Sequence, residues 1–242
     1  MGYRHVDTAQ AYGNEAAVGE GIATADVDRE DVFPTTKVWR SNLSADDVRR
    51  TVRGSRDGPD VDAVDLLLIH WPHPRVPVGE TLGAMEELRD EGLVRQLGVG
   101  TFARSQLADA IRVADSPIVA DQVLYHPYED QSTLLEFCRD RDVALTVYSP
   151  LARGAVVDDE VLAGIGERHG TSAAQVALRW LVHQDGVVAI PEASGRGHLE
   201  ANRGVFDLSL SDEEMARVRD RSGSLGIRLW NRLPALMRRW PL

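Results

Sequence analysis

Four polar side chains in the first third of the chain, Asp7, Tyr12, Lys37 and His70, are of types that can divide one proton-transfer task among them. A carbonyl that accepts a hydride gathers negative charge on its oxygen, and a positioned proton donor must meet that charge. A tyrosine hydroxyl titrates at about 10 when unperturbed, and an ammonium beside it favours the phenolate and makes it a better donor. An ammonium held away from water needs a carboxylate, and Asp7 can serve Lys37 in that way. His70 can hydrogen-bond the carbonyl oxygen and orient it. A different use of Lys37, as the nucleophile of a Schiff-base lyase, stays open at this point.

Lys37 is distinctive in composition as well. The 27 basic residues comprise this one lysine and 26 arginines. Arginine replaces lysine on a solvated surface at little cost, but its delocalised charge does not mimic a compact ammonium. Composition alone leaves two readings: a surface lysine left by drift, or a position that requires an ammonium. Only its place in the fold separates them.

Apolar runs at 3–7, 32–38, 64–70, 95–100, 118–123, 143–148 and 187–190 read as strands. Amphipathic stretches at 15–22, 45–53, 78–91, 106–113, 133–141 and 173–183 read as helices, with two more over 158–168 and 211–221. Ser44 followed by Asp47, and Ser211 followed by Glu214, are helix-start signals. Strand and helix alternate without a long linker, so parallel βαβ units are expected. A doubly wound sheet is the alternative, but no Gly-x-Gly-x-x-Gly follows the first strand. The expectation is therefore α/β, a (β/α)8 TIM-type barrel forming a single domain over residues 1–242, although seven strands are visible where eight close a barrel. The C-terminal strand ends form the active face of such a barrel. Asp7, Lys37, His70, Gln122 and Tyr148 each close an apolar run, which would bring all five to one mouth.

Charge and composition exclude other classes. Asp and Glu number 38, giving a net charge of −11, which argues against nucleic acid or an anionic membrane as partner. No apolar stretch is long enough to span a bilayer and no basic-then-apolar leader opens the chain, so a cytoplasmic protein is expected. One cysteine, Cys138, permits neither an internal disulfide nor a cysteine-based zinc cluster. The acidic, arginine-rich balance also suggests adaptation to a salty cytosol. His5, His70 and His73 could be read as ligands of a metal-dependent barrel hydrolase, but Tyr12 and Lys37 would then have no role, so no metal is expected. His126, His169 and His183 read as structural or exposed.

The residues around the four also carry a resemblance. The block from Gly2 through Asp7 and Tyr12 to Glu15, GYRHVDTAQAYGNE, is similar to the first signature of the aldo-keto reductase family. Thr35-Thr36-Lys37-Val38-Trp39 and Leu68-Ile69-His70-Trp71-Pro72 resemble its next two blocks, in order and at fitting separations. Further matches are residues 122–127 (QVLYHP), 148–151 (YSPL) and 172–180 (SAAQVALRW), so the resemblance runs from Gly2 to about Arg221. It implies carbonyl reduction by hydride transfer from NADP or NAD, with Tyr12 as general acid in a tetrad with Asp7, Lys37 and His70. It also implies that Trp39 and Trp71 wall the pocket of a small-molecule carbonyl substrate, and that the protein is a monomer. By position Gln122 matches a ligand of the nicotinamide carboxamide, Tyr148 the ring stacked on nicotinamide, and Ser149 and Leu151 contacts to the pyrophosphate. A non-catalytic cofactor-binding member is the alternative within the family.

Departures from the family pattern sharpen the expectations. The family places another strand and helix before Gly2, so the first strand–helix unit is expected to be absent, through a start assigned too late or a truncated copy. Where Gly-Val-Ser-Asn-Phe is usual, this chain has Gly98-Val99-Gly100-Thr101-Phe102, leaving Thr101 to hydrogen-bond the carboxamide. The positions that usually offer lysine, serine and arginine to the adenosine 2′-phosphate are Glu192, Ala193 and His198. A carboxylate repels that phosphate but accepts from ribose hydroxyls. Arg196 could compensate and Asn202 keeps the adenine contact, so a weak or reversed NADP preference is expected. Pro34 is unexpected within a central strand, where it costs a ladder hydrogen bond. The tail 228–242, with Trp230, Arg238, Arg239 and Trp240, is expected to pack near the substrate site.

Overall fold

A computed structural model describes residues 1–54 and 63–223; the tail 228–242 lies outside the described residues. The contacts group into two compact units. The first comprises Met1–Val123 and Thr133–Thr146, the second Leu124–Ser132 and the chain from Val147. The strands are β1 (His5–Asp7), β2 (Phe33–Val38), β3 (Val64–Ile69), β4 (Val94–Gly100), β5 (Ile118–Leu124), β6 (Ala144–Tyr148) and β7 (Val187–Ala189). Their order in the sheet is the order in the chain, and pairing is parallel between neighbours from β1 to β5. Every strand read from the sequence is present to within two residues at each end.

In the first unit, β1 to β5 alternate with α1 (Glu15–Ala23), α2 (Ala45–Gly54), α3 (Val78–Asp90) and α4 (Arg104–Val113), and α5 (Ser132–Arg139) follows β5. The central strand β3 has almost no exposed surface from Asp65 to Ile69, the apolar run expected of a strand covered on both faces. Gly98 shows how closely the strands approach. A Cβ there would lie 2.5 Å from a Leu68 methyl and 2.7 Å from the Ala120 carbonyl oxygen. Buried Asp65 is held by Arg29 and Arg95 at 2.8 and 2.7 Å. Pro34 also finds its explanation here. Phe33 N–H donates to the Arg4 carbonyl on the β1 side, so the ring nitrogen of Pro34 faces β3, whose register with β2 begins only at Thr35. No ladder bond is lost.

In the second unit, α6 (Glu160–His169), α7 (Ala173–Val182), α8 (Arg196–Arg203) and α9 (Asp212–Arg219) carry clear start signals in three cases. Ser172–Gln175 and Ser211–Glu214 form capping boxes, and Asp159 caps α6 by accepting from the Val161 and Leu162 amides. Asp159 is also the buried acceptor for Tyr128 Oη at 3.0 Å and for the Arg221 guanidinium at 2.9 Å. One carboxylate thus ties three segments together. Asp159→Ala is expected to cost about 2–4 kcal/mol in urea unfolding, well above an exposed cap, because Arg221 and Tyr128 lose their partner too. A loss confined to about 1 kcal/mol would reduce Asp159 to a simple cap. Among the described residues no helix is long and apolar enough to cross a membrane.

Candidate active site

The site grows from strand ends in the first unit. Asp7 is the last residue of β1 and pairs in register with Thr35 of β2. Side chains alternate along a strand, so Lys37, two residues beyond Thr35, emerges on the same face next to Asp7. His70 follows the last residue of β3, and its amide donates to the Val38 carbonyl at 3.1 Å, bringing its ring beside the end of β2. Tyr12 closes a short 3-10 turn, Gln10–Tyr12, that follows β1 directly.

Lys37 has 1% of its side chain exposed, and its ammonium donates to Asp7 Oδ1 and, at 2.8 Å, to the Thr8 carbonyl. Burial lowers its pKa from the ordinary lysine value, and the Asp7 carboxylate opposes that shift. The Tyr12 ring lies above it, with Nζ 5.1 Å from the ring centroid. His70 packs edge-on against Tyr12 at 5.9 Å and against Trp39 at 5.1 Å. Burial, then the neighbouring Lys37 charge, pulls His70 down to about 4, so its imidazole is neutral in the physiological range. His70 Nδ1 is buried without a hydrogen-bond partner among the described residues. A buried orphan N–H is less tolerable than an orphan lone pair, which assigns the hydrogen to Nε2 and makes that nitrogen a donor.

The structure brings Asp7, Tyr12, Lys37, His70, Trp39 and Gln122 together in this unit. Gln122 was matched by position to the nicotinamide carboxamide; here its buried amide donates from Nε2 to Asp7 Oδ2 at 2.7 Å. Both carboxylate oxygens of Asp7 are therefore engaged. Trp71 is 40% exposed, and Tyr12 is 54% exposed, open to an incoming molecule. Thr101 follows β4 with φ +61°, a left-handed conformation that a β-branched residue enters only under constraint. A separate cleft of about 300 Å³ beneath the segment after Trp71, lined among others by Leu43, Ile69, His73 and Phe102, contains none of the four polar residues.

Sequence reasoning did not foresee the supports. Thr8 Oγ1 donates to Asn14 Oδ1 at 2.6 Å, Thr36 donates to Glu15, and Gln10 Oε1 accepts from Trp39 N–H and Asn42 Nδ2. The signal was the crowding of short polar residues between Asp7 and Glu15. Nothing in it pointed to partners some thirty positions away. His5 and His73 have local roles: His5 Nε2 bonds Thr35 Oγ1 at 2.9 Å, and His73 Nδ1 accepts from the Arg75 and Val76 amides.

In the second unit, Tyr148 ends β6, and Ser149 follows with φ +50°, also in the left-handed region. Leu151 lies just beyond. Glu192 is exposed, Arg196 pairs with Glu200 at 2.8 Å, and His198 Nδ1 lies 3.4 Å from Ser194 Oγ. Asn202 is half-buried on α8.

Comparison with known proteins identifies the family. The family model described as Aldo/keto reductase family matches residues 1–222. The chain is 38% identical over 220 residues to the 9,11-endoperoxide prostaglandin H2 reductase of Trypanosoma cruzi (strain CL Brener), covering 90% of this chain and 77% of that protein. It is 37% identical over 217 residues to the glyoxal reductase of Bacillus subtilis (strain 168), covering 90% and 78%. Among solved structures it is similar to a thermostable aldo-keto reductase in complex with the inhibitor epalrestat, with a TM-score of 0.86, 41% identity and coverage of 91% and 83%. The same TM-score relates it to an aldose reductase from Giardia lamblia at 30% identity, covering 91% and 84%. The α/β class expected from the sequence holds for this chain, whose described residues form one seven-stranded sheet, and its solved neighbours share that fold. The chain belongs to the aldo/keto reductase family, and its chemistry is the reduction of a carbonyl group to an alcohol.

Proposed function

We propose that the chain reduces an aldehyde, ketone or keto sugar with NADH in preference to NADPH, with Tyr12 as proton donor. The observation that carries the reading is the buried Lys37–Asp7 pair beneath the Tyr12 ring, flanked by a neutral His70. Family membership supports a nicotinamide cofactor, and the donor set agrees with it. The left-handed backbone at Thr101 and Ser149, two positions matched to cofactor contacts, is the kind of strain that folds retain at binding sites.

A bound reduced nicotinamide supplies the hydride that forms the new C–H bond at the carbonyl carbon. This chain's residues handle the oxygen. His70 Nε2–H donates to the carbonyl oxygen and fixes its direction. The Tyr12 hydroxyl gives its proton to that oxygen as the C=O π bond breaks, forming the alcohol O–H. The Lys37 ammonium, 5.1 Å from the Tyr12 ring centroid, stabilises the phenolate left behind, and Asp7 holds that ammonium in place with help from Gln122.

The Schiff-base reading loses ground. A lysine nucleophile must be reachable, whereas Nζ of Lys37 is enclosed between Asp7 and the Thr8 carbonyl. The cofactor preference follows from Glu192 and His198, where cations would meet a 2′-phosphate, and from Arg196, which is already paired with Glu200. Steady-state assays with a carbonyl panel are expected to give kcat/KM about tenfold higher with NADH than with NADPH, and Glu192→Lys with His198→Arg should reverse the order. A strong NADPH preference in the native chain would sink the cofactor assignment. No turnover with either cofactor, or full turnover in Tyr12→Phe, would sink the catalytic one.

A further inference from the structure

We infer that Gln10 is a positioning residue for the reduction: its side-chain carbonyl locks the turn that carries Tyr12 to the Trp39 wall, so that proton donor and substrate wall move as one body. The inference rests on Tyr12 being the proton donor. Gln10 opens the 3-10 turn that Tyr12 closes, and its side chain is half-buried. Its Oε1 accepts two hydrogen bonds of 3.0 Å each, from the Trp39 backbone N–H and from Asn42 Nδ2. Trp39 precedes a second 3-10 turn, Arg40–Asn42, which closes back through Asn42 N–H to the Trp39 carbonyl at 2.8 Å, while Ser41 Oγ donates to Asn42 Oδ1. One oxygen therefore clamps both ends of the turn after β2 onto the turn after β1.

The clamp closes a ring of contacts around His70. Tyr12 and Trp39 each meet the His70 ring edge-on, at 5.9 and 5.1 Å, and Gln10 joins the backbones of the two outer residues. Tyr12 N–H also donates to the Ala9 carbonyl at 3.0 Å, and Tyr12 as a residue is more than half exposed. A proton transfer depends steeply on donor placement, so a small rotation of the turn is felt at the hydroxyl. Only the acceptor oxygen of Gln10 makes these bonds, and that dictates which replacements should work.

Gln10→Met keeps the length and removes the acceptor; Gln10→Glu keeps the acceptor and adds a charge. Gln10→Met is expected to lower kcat about tenfold or more, with NADH affinity by fluorescence titration and the melting temperature close to wild type. Gln10→Glu is expected to recover most of that kcat, with its alkaline limb moved to higher pH because a nearby carboxylate favours the protonated phenol. Wild-type kcat and KM in Gln10→Met overturn the inference, as does a loss of kcat that Gln10→Glu fails to recover. Should Gln10→Met not fold, Asn42→Ala removes one of the two donors instead; a lowered kcat there supports the clamp and an unchanged one overturns it. Tyr12→Phe separates the two levels. If it retains kcat, the proton-donor reading fails; if it is inactive while the Gln10 variants are normal, only the clamp fails.

Discussion

Lys37→Met is expected to lower kcat by about a thousandfold and to cost about 3–5 kcal/mol of folding stability. The two losses have separate causes. Activity falls because the Tyr12 phenolate loses the cation 5.1 Å from its ring. Stability falls because Asp7 Oδ1, in a side chain only 9% exposed, is left as a buried charge beside an apolar chain. Adding Asp7→Asn removes that charge, so the double variant should regain most of the stability in urea unfolding and none of the activity. Recovery of turnover in the double variant would show that Lys37 acts only by keeping Asp7 folded. Lys37→Arg is expected to fail as well, since a planar fork cannot occupy a site where one nitrogen meets both Asp7 and the Thr8 carbonyl. That geometry explains why a chain that uses arginine at every other basic position has lysine here.

Asp121 should make the fold unusually sensitive to alkali. It sits in β5 with no exposed surface, and neither carboxylate oxygen has a hydrogen-bond partner among the described residues. Burial pushes its pKa up to about 8. The folded state thus holds the neutral acid where the unfolded chain has released its proton. Stability from this group is complete below about pH 4 and is lost steadily as pH rises to about 8, then stays level. The whole effect amounts to up to about 5 kcal/mol, comparable with the net stability of a domain. Urea unfolding at about pH 5 and about pH 9 should show most of that difference in the native chain and far less in Asp121→Asn. Equal pH slopes in the two proteins would mean that Asp121 does not carry the proton.

The strands were legible because this sheet writes its burial into short apolar runs, and the ends of those runs located Asp7, Lys37, His70 and Tyr148 at once. Helix starts with a Ser and an acid three residues on were legible for the same local reason, as at Ser211 and Glu214. α8 was not. It buries no residue completely and carries glycine at 197, so no apolar stripe or propensity marks it. Motif position matched Gln122 to the cofactor, but its bond to Asp7 depends on which way an amide turns in three dimensions. The Gln10 clamp and the solitary burial of Asp121 were equally invisible, because both are set by segments of chain distant in sequence. Pro34 looked like a fault from sequence and is harmless only because of the register between β2 and β3.

The bond between Gln122 and Asp7 spans 115 positions. Seen during synthesis, it means that the carboxylate emerging near the start of this segment waits for β5 before its second oxygen finds a donor. At about 5–20 residues per second the wait is about 6–23 seconds, far longer than a helix or a hairpin needs to form. The reactive layer thus depends on chain lying far downstream of its own carboxylate.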